Sequence, residues 1–183
     1  MAIQPIARMG AEILKRRAAE VADFKDPSLP GLVNDMIETM MSVRGIGLAA
    51  PQISVSKRVV IFFVPGERNG GVEIPLTVML NPVLTPTTQY QAEGWEACLS
   101  VPGLTGRVPR FTGLHYSYYD LKGQKHEVDA KGFHARVVQH ECDHLDGILY
   151  PQRMADMTSL SFADVLSSEA AAAGKKLDLD PEG

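Results

Sequence analysis

The chain has 183 residues and a net charge of -4, which suits one domain with a substantial hydrophobic core. Basic residues form no cluster beyond Lys15-Arg16-Arg17, which Glu12 and Glu20 flank, so the composition argues against direct nucleic-acid binding. No apolar run reaches membrane-spanning length, and we expect neither a signal peptide nor a membrane anchor. Two cysteines without C-x-x-C spacing indicate that disulfides do not hold the fold together.

The first half of the chain is predicted to contain one helix followed by short strands. After a short arm and a proline-rich bend at residues 27–30, apolar residues at helical spacing predict a helix that ends near Arg44. The methionines Met36, Met40 and Met41 are interpreted as core residues. A glycine-rich turn is predicted at residues 66–71 and a bend at Gly94 and Trp95. Strands are predicted at residues 58–64, 78–84, 89–93 and 98–101.

The second half is predicted to contain a hairpin and a long helix. Residues 114–121 and 126–130 would pair around Lys122-Gly123, and a helix would then run from Gly132 to a left-handed cap at Gly147. The overall prediction is an α+β fold, with small antiparallel or mixed β-sheets packed around this helix, in a single catalytic domain at residues 1–168.

The C-terminal part is predicted to add a short helix and a tail. Leu160, Phe162, Val165 and Leu166 would form a docking helix, and residues 169–183 would be a frayed tail.

The predicted long helix carries His140-Glu141-Cys142-Asp143-His144. Residues four apart stack on one helical face, so His140 and His144 can bind one metal ion. Glu141 is rotated by roughly 100° and reaches the rim of the same site, where it can act as a general base. Cys142 lies about 200° from His140 and is interpreted as a buried apolar residue. The pattern therefore predicts a catalytic metal site.

A catalytic site of this type needs a third protein ligand. The extended H-E-x-x-H-x-x-G-x-x-H pattern of metzincins fails here because its last position is Tyr150, and every other histidine lies upstream. Cys98, in Glu93-Gly94-Trp95-Glu96-Ala97-Cys98-Leu99-Ser100, is the candidate. Taken alone, Cys98 is either this ligand or a buried thiol.

Residues 45–52, Gly-Ile-Gly-Leu-Ala-Ala-Pro-Gln, form a third notable segment. Gly45, Gly47 and Ala50 match a dinucleotide-binding fingerprint formally, but that motif requires a strand before it and a helix after it. The residues before it have helical spacing, and Pro51 prevents a smooth helix start. A dinucleotide loop is therefore disfavoured.

Together the three segments resemble the peptide deformylases, whose motifs are G-φ-G-φ-A-A-x-Q, E-G-C-φ-S and H-E-x-x-H with φ apolar. The motifs appear in the same order and at similar spacing. One departure is Ala97, which stands where the middle motif has glycine. If that backbone needs a positive φ, a Cβ there costs about 1–2 kcal/mol. The methyl group would also crowd a peptide alongside.

The resemblance implies a role for each motif. Cys98, His140 and His144 would bind the metal, and Glu141 would act as base and then acid. Gln52 and the backbone N–H of Leu99 would stabilise the oxyanion.

The resemblance also implies how a peptide substrate is bound. The peptide would lie as an extended strand between two backbone segments. Apolar side chains would line the methionine pocket, with Arg136 at its mouth, although core packing explains the apolar ones equally well. The implied substrate-binding residues are Gly45, Ile46, Gly47, Glu96, Ala97, Phe133, Arg136 and Val137.

The implied activity is removal of the formyl group from the N-terminal formyl-methionine of nascent chains in the bacterial cytoplasm. One divalent ion is implied, iron(II) in the cell and zinc, nickel or cobalt in purified protein. A transient ribosome contact is a further implication, although Lys175 and Lys176 precede an acidic end. Two alternatives are a metallo-amidase or peptidase acting on another N-acyl peptide, and a catalytically silent peptide-binding protein.

Overall fold

The computed structural model describes residues 2–173. It has an α+β architecture, as predicted, with two antiparallel sheets. The helices are α1 (Leu29–Ser42), α2 (Gly132–Leu145) and α3 (Ala163–Ala172). The strands are β1 (Gly47–Ala49), β2 (Val59–Val64), β3 (Ile74–Pro86), β4 (Gln91–Ala97), β5 (Leu104–Phe111), β6 (Gly113–Tyr119), β7 (Lys125–Lys131) and β8 (Ser161–Phe162). Short 3-10 helices lie at Glu12–Lys15, Ala50–Ile53, Gly66–Arg68, Tyr150–Arg153 and Met157–Ser159.

The larger sheet has five strands in the order β1-β2-β3-β6-β7. Its β2 strand reads Val-Val-Ile-Phe-Phe-Val and is buried on both faces, which explains the absence of polar alternation. The predicted hairpin is confirmed: β6 pairs with β7, and Gly123 adopts a positive φ of 72° in the connecting turn. Because β1 pairs only with β2 within this sheet, it is an edge strand.

The smaller sheet has the order β4-β5-β8. β4 runs without a break through Gly94 and Trp95, so the bend predicted there is wrong. The strand predicted at residues 98–101 is also wrong, because β4 ends at Ala97 and the chain turns there, with the Val101 N–H donating to the Cys98 carbonyl at 2.8 Å. β4 is an edge strand as well.

α1 ends slightly earlier than predicted, at Ser42. The Gly45 N–H donates to the Met40 carbonyl, and the Arg44 N–H donates to the Met41 carbonyl, which together form a Schellman cap. Arg44 occupies the left-handed position of this cap with a φ of 60°. Met36 and Met40 are fully buried as predicted, but Met41 is 60% exposed and does not belong to the core.

α2 begins and ends where the sequence indicates. It packs against strands of both sheets, and Gly147 beyond its C-terminus has the predicted positive φ of 72°. Gly147 also lies against the backbone of the N-terminal arm, residues 2–28, since an ideal Cβ there would lie 2.6 Å from the Lys15 carbonyl carbon. The arm donates backbone hydrogen bonds to Gln52, Ser100 and Leu145.

The C-terminal helix differs from its prediction. α3 starts at Ala163, so Leu160 and Phe162 precede it, and none of its residues is buried. Phe162 is 60% and Val165 50% exposed, whereas half-buried Leu160 packs against the cluster that includes Cys98 and Tyr150, so only part of the expected docking face is packed. The predicted tail begins within α3, and its residues 174–183, including Lys175 and Lys176, lie outside the described residues. None of the described helices has the length and hydropathy needed to cross a membrane.

Candidate metal centre

Three side chains converge between α2 and the end of β4. One ligand atom from each of Cys98, His140 and His144 lies within 4.8 Å of the other two, and all three residues are buried. The two imidazoles come from successive turns of α2, with ring centroids 5.1 Å apart. The Cys98 Sγ lies 3.5 Å from the His144 Nε2. The structure thus brings together the three residues predicted as ligands.

The chemistry of this donor set fits a divalent metal ion. A thiolate with two imidazoles is a known combination for catalytic zinc and for related ions of borderline softness. Burial raises the pKa of the Cys98 thiol, so a thiolate at this position requires a nearby cation. Burial also lowers the pKa of His144, which keeps its imidazole neutral and able to donate a lone pair.

Glu96 contacts His140 through the Nδ1 atom of the imidazole. Its Oε2 lies 2.9 Å from the Nδ1 of His140, which leaves Nε2 of His140 facing the other two ligands. Arg110 donates to both carboxylate oxygens at 2.9 Å. Although burial opposes ionisation, Arg110 and His140 hold the pKa of Glu96 below its usual range. Glu96 was predicted to bind substrate, whereas its carboxylate contacts His140 and two arginines, Arg110 and Arg136.

Arg110 is the residue that the sequence did not reveal. It lies on β5, is only 5% exposed, and bonds Asp143 on α2 as well as Glu96 on β4. Its only sequence signal is an arginine in a strand between Pro109 and Phe111, which by itself indicates a solvated side chain.

Glu141 lies beside the ligands with its carboxylate against β1. The side chain is buried, and an ideal Cβ at Gly47 would lie 2.8 Å from the Glu141 Cγ and still closer to its Oε1. The glycine of the first motif therefore makes room for the carboxylate. Gly45, the other glycine of this motif, has a different structural role, because its N–H closes the C-terminal cap of α1.

Gln52 presents its side-chain amide to the same centre. Its Oε1 accepts a hydrogen bond from the Ala49 N–H at 2.8 Å, which orients the amide. The Nε2 donates to the Ser100 Oγ at 3.2 Å and lies 3.7 Å from the Cys98 Sγ. Leu99 follows Cys98 in the turn after β4. Both residues predicted as oxyanion donors are thus next to a predicted ligand.

The strain expected at Ala97 is absent. Ala97 lies in β4 opposite Thr105, and the non-glycine residues with positive φ in the described chain are Arg44, Ser54 and Asn81. A Cβ at position 97 therefore carries no backbone penalty. The middle motif thus keeps a regular strand backbone with alanine in the glycine position.

The residues predicted for the methionine pocket form one apolar cluster. Ile46 and Val137 are buried, and half-buried Phe133 packs against the same cluster. The Arg68 guanidinium covers the ring of Phe133 at 3.9 Å from the ring centroid. Arg136 points elsewhere, toward the β4–β5 hairpin. Cys142 is buried on the face of α2 away from the ligands, as predicted.

A cleft of about 540 Å³ lies on that far face of α2. Its walls include Arg58 and Arg110, which form ion pairs with Asp146 and Asp143 respectively. None of the three metal-ligand candidates lines it. The cleft is therefore separate from the candidate metal centre.

Comparison with known proteins agrees with this arrangement. The sequence model of the family described as polypeptide deformylase matches residues 3–159. The chain belongs to this family. Peptide deformylase 2 of Ralstonia nicotianae is 50% identical over 169 residues, which cover 91% of this chain and 96% of that protein. Peptide deformylase 1 of Bordetella pertussis is 49% identical over 171 residues, with 91% and 96% coverage.

Solved deformylases share the fold. A class I type b peptide deformylase from Acinetobacter baumannii, bound to Met-Ala-Ser, has a TM-score of 0.78 and 39% identity, covering 84% of this chain and 99% of that one. The peptide deformylase of Thermotoga maritima has a TM-score of 0.78 and 31% identity, with 85% and 100% coverage. The chain is thus a metal-dependent hydrolase that removes the N-formyl group from nascent peptides.

Proposed function

We propose that formyl-methionyl peptides are hydrolysed at the centre formed by Cys98, His140, His144 and Glu141. The convergence of two histidines from α2 with a cysteine 42 residues earlier in the chain is the observation that carries this proposal. The bound ion would supply positive charge that polarises the formyl carbonyl and acidifies a water molecule. Iron(II) is the proposed ion in the cell. Zinc, nickel or cobalt would replace it in protein purified in air, because iron next to a thiolate is sensitive to oxidation.

Glu141 would move the proton. It takes a proton from the attacking water as the water oxygen bonds to the formyl carbon, and it delivers that proton to the departing amine as the C–N bond breaks. The products are formate and a peptide with a free amino terminus. The placement of its carboxylate against Gly47 limits its rotation and holds it beside the ligands.

Gln52 and Leu99 would stabilise the negative charge on the former formyl oxygen. Each contributes an N–H donor, the side-chain amide from Gln52 and the backbone amide from Leu99. The hydrogen bond from Ala49 fixes the Gln52 amide before substrate arrives, so little reorganisation is needed during the reaction.

The peptide would lie between the edges of the two sheets. β1 and β4 are edge strands of the two sheets, and edge strands are where extended peptides add in other peptide-binding proteins. Backbone hydrogen bonds from residues 45–48 and 96–98 would then align the substrate, and its methionine side chain would enter the cluster of Ile46, Phe133 and Val137.

The proposed partners are nascent chains in the bacterial cytoplasm, where formyl-methionine is introduced. A transient ribosome contact would use residues beyond α3, which lie outside the described part of the chain. The proposed catalytic domain spans residues 1–168.

The test is formate release from formyl-Met-Ala-Ser by protein purified without oxygen, assayed beside its Glu141→Gln variant. We expect metal-dependent release by the unchanged protein and a variant that binds metal but does not turn over. Turnover retained by Glu141→Gln would refute the assigned mechanism. Hydrolysis of acetyl-Met-Ala-Ser at a similar rate would instead support a broader amidase, and no release of formate from fully metal-loaded protein would support a silent peptide-binding protein.

A further inference from the structure

Arg136 lies one helical turn before His140 on α2, and its guanidinium is directed onto the β4–β5 hairpin. Nη2 donates to the Ala92 carbonyl at 2.7 Å, and Nη1 donates to the Val108 carbonyl at 2.9 Å. Nη1 also donates to the Glu96 Oε1 at 2.7 Å. The side chain is 12% exposed. The guanidinium therefore joins α2 to both strands of the hairpin and to the carboxylate that holds His140.

Gly94 is the residue over which this guanidinium lies. An ideal Cβ on Gly94 would be 2.8 Å from both the Cζ and the Nη2 of Arg136, closer than real Cβ contacts occur. Gly94 has no positive φ and pairs regularly with Val108 within the sheet. Backbone conformation therefore does not require glycine here. The space occupied by the Arg136 guanidinium explains it.

The hydrogen bonds divide the Glu96 carboxylate into two sides. Oε1 accepts from Arg136 and from the Nε of Arg110, while Oε2 accepts from the Nη2 of Arg110 and lies against the Nδ1 of His140. Arg110 thus contacts both carboxylate oxygens. Arg136 adds a further hydrogen bond to Oε1, so Oε2 is the oxygen that lies beside the histidine.

We infer that Arg136 is a positioning residue for the metal centre: seated over Gly94, it fixes Glu96 and thereby the orientation of the His140 imidazole. This inference gives Arg136 a different role from the substrate-pocket role suggested by the family resemblance. It rests on the proposed function for the identity of the reaction, whereas its structural claim concerns the metal ligand.

The test compares Arg136→Met, which keeps length but removes every donor, with Arg136→Lys, which keeps one charged donor group. Arg107→Met is the matched control, because Arg107 lies on the same hairpin and pairs with Glu93 at the surface. Each variant is loaded with cobalt(II). Its visible absorption spectrum and cobalt affinity are measured before any assay, so these readouts remain informative even if formyl peptides are not the substrate.

We expect Arg136→Met to change the cobalt spectrum and to lower cobalt affinity about tenfold, at the lower end of the effect of removing a partner of a metal-bound histidine. In the assay kcat should fall while KM for formyl-Met-Ala-Ser stays within about twofold. Arg136→Lys should recover part of both effects, and Arg107→Met should match the unchanged protein. An unchanged spectrum and affinity, or a rise in KM without a fall in kcat, would overturn the inference.

Gly94→Ala supplies an independent test. Because its methyl group displaces the guanidinium, it should reproduce the cobalt spectrum of Arg136→Met. Adding Gly94→Ala to Arg136→Met should then change the spectrum and cobalt affinity little, since the methionine side chain can move away. Additive losses of cobalt affinity in the double variant would show that the two positions act separately and would also overturn the inference.

Discussion

Replacing Gly47 with alanine should displace the carboxylate of Glu141, the proposed general base, without altering any of the three proposed metal ligands. The new Cβ would lie 2.8 Å from the Glu141 Cγ and 2.5 Å from its Cδ, so either the carboxylate rotates away or β1 shifts. General acid–base catalysis contributes about 10²–10⁴ in rate. We therefore expect Gly47→Ala to lower kcat at least about 100-fold. The loss of kcat in Glu141→Gln sets the upper limit for this effect.

The assay is formate release at saturating formyl-Met-Ala-Ser, with bound metal measured on the same samples. Gly31→Ala is the matched control, because a Cβ at Gly31 in α1 meets nothing within 4 Å. That substitution should leave kcat unchanged and raise the free energy of unfolding by about 0.5–1 kcal/mol, since alanine suits a helix better than glycine. If Gly47→Ala retained metal and a kcat within about threefold of the unchanged protein, the reasoning about Glu141 would be refuted.

Three further substitutions test other parts of the structure. Arg44→Gly should relieve the left-handed strain and, after the entropy cost of glycine, raise the free energy of unfolding by about 0.5–1 kcal/mol; a thermal midpoint that does not rise would contradict this. Gln52→Leu should lower kcat about 10²–10³-fold with metal content unchanged, and a smaller loss would exclude the amide as an oxyanion donor. Glu96 contributes stability that is complete above its unfolded pKa of 4.5 and is lost as the pH falls further, because its folded pKa is depressed. The difference in thermal midpoint between the unchanged protein and Glu96→Gln should therefore shrink below pH 4.5, and a difference that grows on acidification would show the opposite sign.

Helix α2 and its two histidines could be predicted because the sequence signals for them lie within one short segment. His140, Glu141 and His144 fall on neighbouring turns of one helix, and the glycine at position 147 marks its end. Cys98 could not be predicted as a ligand from its own segment, because nothing there distinguishes a metal ligand from a buried thiol. The resemblance of the three motifs together, in order and in spacing, to one family connected it to the histidines.

The parts that were missed depend on contacts between distant segments. β5 lacks an apolar alternation because Pro109 interrupts it and Arg110 points inward to a buried ion pair. The partners of Arg136 lie 28 to 44 residues away in the chain, so its position over Gly94 could not be read from α2 alone. Arg44 was missed as a cap residue because glycine is the usual signal at that position.

The N-terminal arm has a consequence for synthesis of the protein. Its backbone donates hydrogen bonds to Gln52, Ser100 and finally Leu145, so the arm leaves the ribosome well before its last partner exists. At a synthesis rate of about 5–20 residues per second, the end of α2 is made on the order of ten seconds after Ala18. An enzyme that acts on the first residue of other growing chains therefore cannot complete its own site until most of its own chain has emerged.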